Sequence, residues 1–153
     1  MNPDPEMAGV LAAQLDAASQ ARLGRSLAVF PALAAECGGC ALELAMLRSA
    51  AYGLAQYGIR VVDHPAAADV LLVAGPVTRV LVDPLRLAFA AMGTPRWVVA
   101  LGDCAIDGGL FAPSGAVAGG AGAALPVDLV VPGCPPPPAS ILAALLTVLA
   151  ANT

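Results

Sequence analysis

A chain of 153 residues is long enough to bury one core and too short for two domains of ordinary size. Hydrophobic residues make up 59% of it and charged residues 12%, the net charge is -4, and no basic run occurs, which excludes a nucleic-acid footprint. With so few charges, much of the surface must be apolar, as in a subunit held inside a larger assembly, and the basic residues are all arginine, which suits paired positions better than solvated ones.

The opening "MNPDPEM" is acidic and carries no basic n-region, twin-arginine pair or apolar signal stretch, so a cytoplasmic location is expected. From about Ala8 to Arg25 apolar positions recur at helical spacing, and an N-terminal helical extension over residues 1–25 is predicted to lie on a neighbour. Residues 26–153 then read as the domain proper. A strand is predicted at "SLAVFPAL" from Ser26, a helix over "ALELAMLRSAAYGLAQYG" from Ala41, and strands at "IRVVDH" from Ile59 and "ADVLLVAGP" from Ala68. A helix follows across Val80 to Met92, a fourth strand at "RWVVALGD" from Arg96, a fifth at "VDLVVPG" from Val127 and a last helix from Ala139. Continuous apolar strands alternating with helices define an α/β domain with a parallel sheet covered on both faces, doubly wound in the flavodoxin-like manner.

The segment "FAPSGAVAGGAGAALP" from Phe111 is low in complexity and is expected to be a mobile loop. The apolar run Ala139 to Ala151 falls short of the roughly 20 residues that span a bilayer, and the uncharged stretch from Gly108 is broken by Gly and Pro, so no membrane span is expected.

The four cysteines fall at strand ends: Cys37 and Cys40 in "ECGGC" after the first strand, Cys104 in "GDCAIDGG" after the fourth, and Cys134 in "PGCPPPP" after the fifth. In a parallel sheet those ends share one edge, where open α/β folds bind their ligands. Gly and Pro around each cysteine allow close backbone approach, and the four prolines after Cys134 stiffen its turn. An iron-sulfur cluster suits such an environment, with the helix after Cys40 aiming its positive end at the site. Zinc on four cysteines is the stronger rival, although such sites usually show two close Cys-x-x-Cys pairs and Cys104 and Cys134 lie far apart. Structural disulfides fit poorly with a chain lacking a signal peptide. A free flavodoxin is disfavoured, because "ECGGC" occupies the place of a Ser/Thr-rich phosphate loop.

The segments "ECGGCALE", "DVLLVAGPVT", "RWVVALGDCAIDGG" and "VDLVVPGCPPPP", in that order between Leu27 and Ala150, resemble the small-subunit family shared by nickel-iron hydrogenases and the 20 kDa subunit of NADH:quinone oxidoreductase. The resemblance implies one 4Fe-4S cluster on Cys37, Cys40, Cys104 and Cys134. It implies as partners a large catalytic subunit, a ferredoxin-like iron-sulfur subunit and membrane-arm subunits, which would hold the chain peripherally on the inner face of the cell membrane. Complex I proteins of this type carry two adjacent cysteines where this chain has Cys37-Gly-Gly-Cys40. The spaced pair and short length resemble the compact small subunits of energy-converting membrane-bound hydrogenases, with quinone delivery or a zinc-stiffened structural subunit as alternatives. Glu36 and Glu43 match carboxylates flanking the first cysteine pair in the family, and either is a candidate proton relay, the other readings being a solvated loop residue for Glu36 and a helix cap for Glu43. Asp103 and Asp107 are expected as turn residues, His64 as a loop residue, Trp97 as core, and Met46 and Met92 as helix-face packing.

Overall fold

The computed structural model describes residues 5–35, 37–47 and 59–150. In chain order it contains α1 (Pro5–Leu23), β1 (Leu27–Leu33), α2 (Gly39–Leu47), β2 (Ile59–Val61), β3 (Val70–Ala74), β4 (Val77–Thr78), α3 (Val82–Ala91), β5 (Trp97–Leu101), α4 (Asp103–Asp107), β6 (Val117–Gly119), β7 (Leu129–Val131) and α5 (Pro138–Ala150). The helix predicted from Ala41 to Gly58 is seen as far as Leu47, and its remainder lies outside the described residues.

Five strands form one sheet in the order β2-β1-β3-β5-β7, every neighbouring pair parallel. This is the flavodoxin-like order, with the reversal beside β1. The central strands β3 and β5 are buried at every residue, which explains their unbroken apolar sequences VLLVA and WVVAL. Their side chains alternate between two cores. Val70, Leu72, Trp97 and Val99 face α1, α2 and α5, while Leu71, Val73, Val98 and Ala100 face α3, α4 and the segment around Ala121.

The N-terminal helix, expected on a neighbour, instead packs along α5 of its own domain. Leu15 is fully buried there, the Arg22 guanidinium lies 5.3 Å over the Trp97 ring, and its Nη1 donates to the Leu149 carbonyl at 3.1 Å. Three further arginines behave alike. Arg96 caps α3 through the Phe89 carbonyl at 3.0 Å, and Arg79 and Arg86 donate to the carbonyls of Gly115 and Ala124 at 2.9 and 3.1 Å. Planar multidentate donors thus close helix ends and loops in a chain short of other charges.

The segment expected to be a mobile loop is folded. β6 pairs antiparallel with β4, the Arg79 N-H donates to the Ala116 carbonyl at 2.9 Å, and Ala121 and Leu125 are buried. Its small residues serve close approach: a Cβ on Gly120 would collide with the carbonyl oxygens of Ala105 and Ile106. Low complexity here therefore reflects a backbone laid directly on α4. Met46, expected as helix-face packing, is 45% exposed on α2, whereas Met92 is buried at the end of α3. Trp97 is in the core, and His64 sits in a loop, its Nδ1 accepting from the Ala66 N-H at 3.1 Å.

Among the described residues, no helix is long and apolar enough to cross a membrane.

Candidate functional site

Because β1, β5 and β7 run parallel, the loops that leave them open onto the same edge of the sheet. The segment after β1 is fixed to the end of β3 by the Ala34 N-H, which donates to the Ala74 carbonyl at 2.8 Å. The loops after β5 and β7 are tied to one another. The Gly102 N-H donates to the Val131 carbonyl at 2.8 Å and the Asp103 N-H to the Gly133 carbonyl at 2.9 Å. In return the Gly133 N-H donates to Asp103 Oδ1 at 2.9 Å. Asp103 and Gly133 each precede a cysteine, so this reciprocal pair sets Cys104 and Cys134 side by side.

The result is a cavity of about 100 Å³ lined by Cys37, Cys40, Cys104 and Cys134 together with Gly39, Gly75, Gly133, Asp103 and Pro135. All four cysteines are thiols; Cys37 and Cys134 are exposed, and Cys40 and Cys104 are half-buried. A wider concavity of about 500 Å³ leads outward past Cys104, Cys134, Asp107 and Leu110. Burial pushes the Cys104 thiol above its ordinary range, and the neighbouring Cys134 and Cys37 thiols and the Asp103 carboxylate push it further, against the Leu110 N-H, which favours the thiolate. Among the described residues, no three His, Cys, Asp or Glu side chains are grouped as ligands to a single metal ion. The thiols instead surround a space.

Two glycines let the backbone pass close behind the sulfurs. A Cβ on Gly102, which has φ +86°, would stand 3.0 Å from Cys40 Sγ, and one on Gly109 would stand 2.9 Å from Cys104 Sγ. Gly102→Ala is expected to destabilise the fold by about 1–2 kcal/mol from the left-handed backbone alone and to displace the Cys40 sulfur. A shifted unfolding midpoint together with a changed rate of Cys40 alkylation would show both effects, and an unchanged midpoint would refute the first. Pro135 leans over Gly39 at the start of α2, and the Cys134-Pro135 peptide is cis.

Glu36 lies outside the described residues. Glu43 is half-buried on α2, past the first turn of the helix, so the cap reading does not hold for it. Asp107 is a turn residue as expected, accepting the Gly109 N-H at 2.8 Å. Asp103 does more than the sequence reading assigned it. It is expected from the sequence only as a turn residue, whereas its carboxylate also accepts the Gly133 N-H of the other cysteine loop.

The sheet order and the thiol-lined cavity define a flavodoxin-like domain with a soft-ligand site at the carboxyl edge of its strands. The chain belongs to the family described as NADH ubiquinone oxidoreductase, 20 Kd subunit, whose model matches residues 37–148. This is a family of oxidoreductase-complex subunits. Over 112 residues the chain is 43% identical to an uncharacterized protein of Methanocaldococcus jannaschii, a match covering 73% of this chain and 75% of that one. It is 39% identical over 109 residues to a NADH-quinone oxidoreductase subunit of Clostridium beijerinckii, covering 71% of this chain and 64% of the relative. With the probable membrane-bound hydrogenase subunit of Pyrococcus furiosus it shares 36% identity over 120 residues, 78% of this chain and 72% of the relative. Among solved structures, a chain of the membrane-bound sulfane sulfur reductase, an archaeal respiratory membrane complex, superposes with a TM-score of 0.71 at 26% identity over 88% of this chain and 72% of that chain.

Proposed function

We propose that this chain is the electron-transfer subunit of a multi-subunit oxidoreductase of the membrane-bound hydrogenase kind, holding one 4Fe-4S cluster on Cys37, Cys40, Cys104 and Cys134. The observation that carries the reading is the single cavity onto which three separate segments, following β1, β5 and β7, deliver all four thiols. The donor set fits: four sulfur ligands, glycines where side chains would fill the space, and no cationic side chain among the lining residues. A cavity walled by thiols suits a polynuclear group better than a zinc ion, whose ligands converge within about 2.3 Å of one centre.

When bound, such a cluster supplies one-electron chemistry at a potential set by its surroundings. The chain's own part is to hold and shield. Asp103 and Gly133 keep two ligand loops in register, Pro135 covers the start of α2, and α2 points its amino-terminal N-H groups at the site. The chain itself carries out no bond chemistry in this reading. The relatives include a quinone oxidoreductase subunit and a hydrogenase subunit, and the spaced Cys37 and Cys40 favour the hydrogenase side. The partners are a large catalytic subunit, a ferredoxin-like subunit and membrane-arm subunits, with this chain peripheral on the inner face of the membrane.

Anaerobic purification with the partners should yield iron and acid-labile sulfide in equal amounts and a paramagnetic signal on reduction. Stoichiometric zinc without sulfide would overturn the reading. Glu43 is proposed as a proton carrier beside the site. Its Gln variant is expected to keep full iron content and lose most steady-state turnover, a loss of about tenfold or more, as for other removed proton-transfer groups. Activity that falls only in step with iron content would make the carboxylate structural.

A further inference from the structure

The solvent face of α3 is unusually apolar. Its inner face is carried by Leu85 and Met92, both buried, with Val82 and Phe89 packed beside them. A helix on a protein surface normally turns charged and polar residues outward. Here Val80, in the 3-10 turn (Arg79–Leu81) that runs into α3, is 81% exposed, and Leu87 is 71% exposed. Each follows an arginine, so the pair Arg79-Val80 is repeated as Arg86-Leu87, about two turns and 10 Å along the same side of the helix.

Both guanidiniums are held in place. Arg79 Nε donates to the Gly115 carbonyl and Arg86 Nε to the Ala124 carbonyl, and neither side chain has a further partner among the described residues. Asp83, exposed between them, pairs with neither and is favoured instead by the amino end of α3. An arginine already fixed through Nε keeps its two Nη groups for a carboxylate and loses little further freedom in binding one. By contrast Leu110, also exposed, stands with the carboxylates of Asp103 and Asp107 at the mouth of the cysteine cavity, a surface of the opposite sign. An anionic membrane is a poor match for α3. Lipid-binding clusters carry about four to eight basic residues, and this chain has a net charge of -4.

We propose that the outer face of α3 is the docking surface for an acidic amphipathic helix of a partner subunit, whose carboxylates, two turns apart, pair with Arg79 and Arg86 while its aliphatic side chains lie on Val80 and Leu87. Charge complementarity fixes the register, and the two exposed aliphatic side chains supply the apolar contact between the ion pairs. The proposal rests on the reading that the chain works inside a multi-subunit complex, and it is independent of the cluster assignment.

The test uses the complex purified on the tagged full-length chain, with Leu87 replaced by the photo-reactive benzoylphenylalanine. Irradiation is expected to join position 87 to one co-purifying subunit, at a helix bearing Asp or Glu seven residues apart. Leu87→Glu should weaken the hold on that subunit about tenfold or more, the loss typical of a residue central to an interface. Its unfolding midpoint should stay that of the wild type, because the parent side chain is largely in water. Lys in place of the facing carboxylate of the partner should restore binding to Leu87→Glu. A lipid adduct, a cross-link to a second copy of this chain, or one to a basic or uncharged segment would overturn the proposal. So would a complex that keeps its subunits and yields no cross-link, which leaves the proposed function standing. A chain that purifies alone would overturn both.

Discussion

On the proposed 4Fe-4S assignment, replacing Cys104 by serine is expected to abolish stable cluster retention and with it the turnover of the complex, while the chain still folds. Cys104 stands in the first turn of α4, directly behind a strand that is buried at every residue, so the backbone that presents it does not depend on the sulfur. A serine fits the volume but replaces a soft thiolate by a hard, weakly acidic hydroxyl, which binds iron poorly at neutral pH. Asp103→Ala provides the graded comparison. It leaves all four sulfurs and removes the acceptor of the Gly133 N-H, so the two cysteine loops lose one of their ties. Outer partners of metal ligands are typically worth about 10–100-fold in affinity, and a loss of that size in resistance to an iron chelator is the expected result. Iron and sulfide content, measured beside unfolding midpoints for wild type and both variants, checks the argument. A Cys104→Ser protein with full iron and sulfide content would remove that residue from the ligand set.

The convergence of the cysteines is legible in the sequence alone, for a reason that lies in topology. Apolar runs such as VLLVA and WVVAL leave no polar face, so they must be central parallel strands, and parallel strands deliver everything that follows them to one edge. What is not legible comes from pairings that depend on three-dimensional proximity. Asp103 looks like any aspartate in a turn, and nothing in the sequence within 30 positions of it announces that its partner is Gly133. The segment from Phe111 to Pro126 looks mobile because glycine and alanine carry little information by themselves; their smallness has a purpose only once the α4 carbonyls are seen to leave no room for a side chain at Gly120. The N-terminal helix reads as docked on a neighbour because its own surface cannot be told from an interface. Leu15 and Arg22 against α5 and Trp97 settle where that surface goes. Arginine without lysine points to pairing, but the pairing is largely with carbonyls of this same chain.

The largest effect on stability is expected at the opposite edge of the sheet. Asp69, just before β3, is only 3% exposed, and its carboxylate accepts from Arg25 Nη1 and Nη2 at 2.7 and 2.6 Å and from the Ala28 N-H at 2.9 Å. One side chain thus joins the exit of α1, the start of β1 and the start of β3. Asp69→Ala leaves the Ala28 N-H buried without that acceptor and sets free a guanidinium that is half in water. Breaking a fully buried pair from one side costs about 3–5 kcal/mol, and the 48% exposure of the arginine side chain lowers that toward the surface limit. The expected cost is therefore about 2–4 kcal/mol, most of it from the carboxylate's own hydrogen bonds. Arg25→Ala leaves a buried carboxylate with the Ala28 N-H still donating to it, and the double variant should recover part of the sum, with a coupling of about 0.5–3 kcal/mol in a double-mutant cycle. Urea unfolding of the full-length chain reads all four corners. Below the midpoint each variant should take up iron and sulfide as the wild type does, because the pair lies at the amino ends of strands whose carboxyl ends carry the cysteines. A loss of cluster uptake in fully folded Asp69→Ala would show that the two edges of the sheet are coupled, and a cost under about 0.5 kcal/mol, the ordinary range for a surface substitution, would show that the three-way tie contributes little.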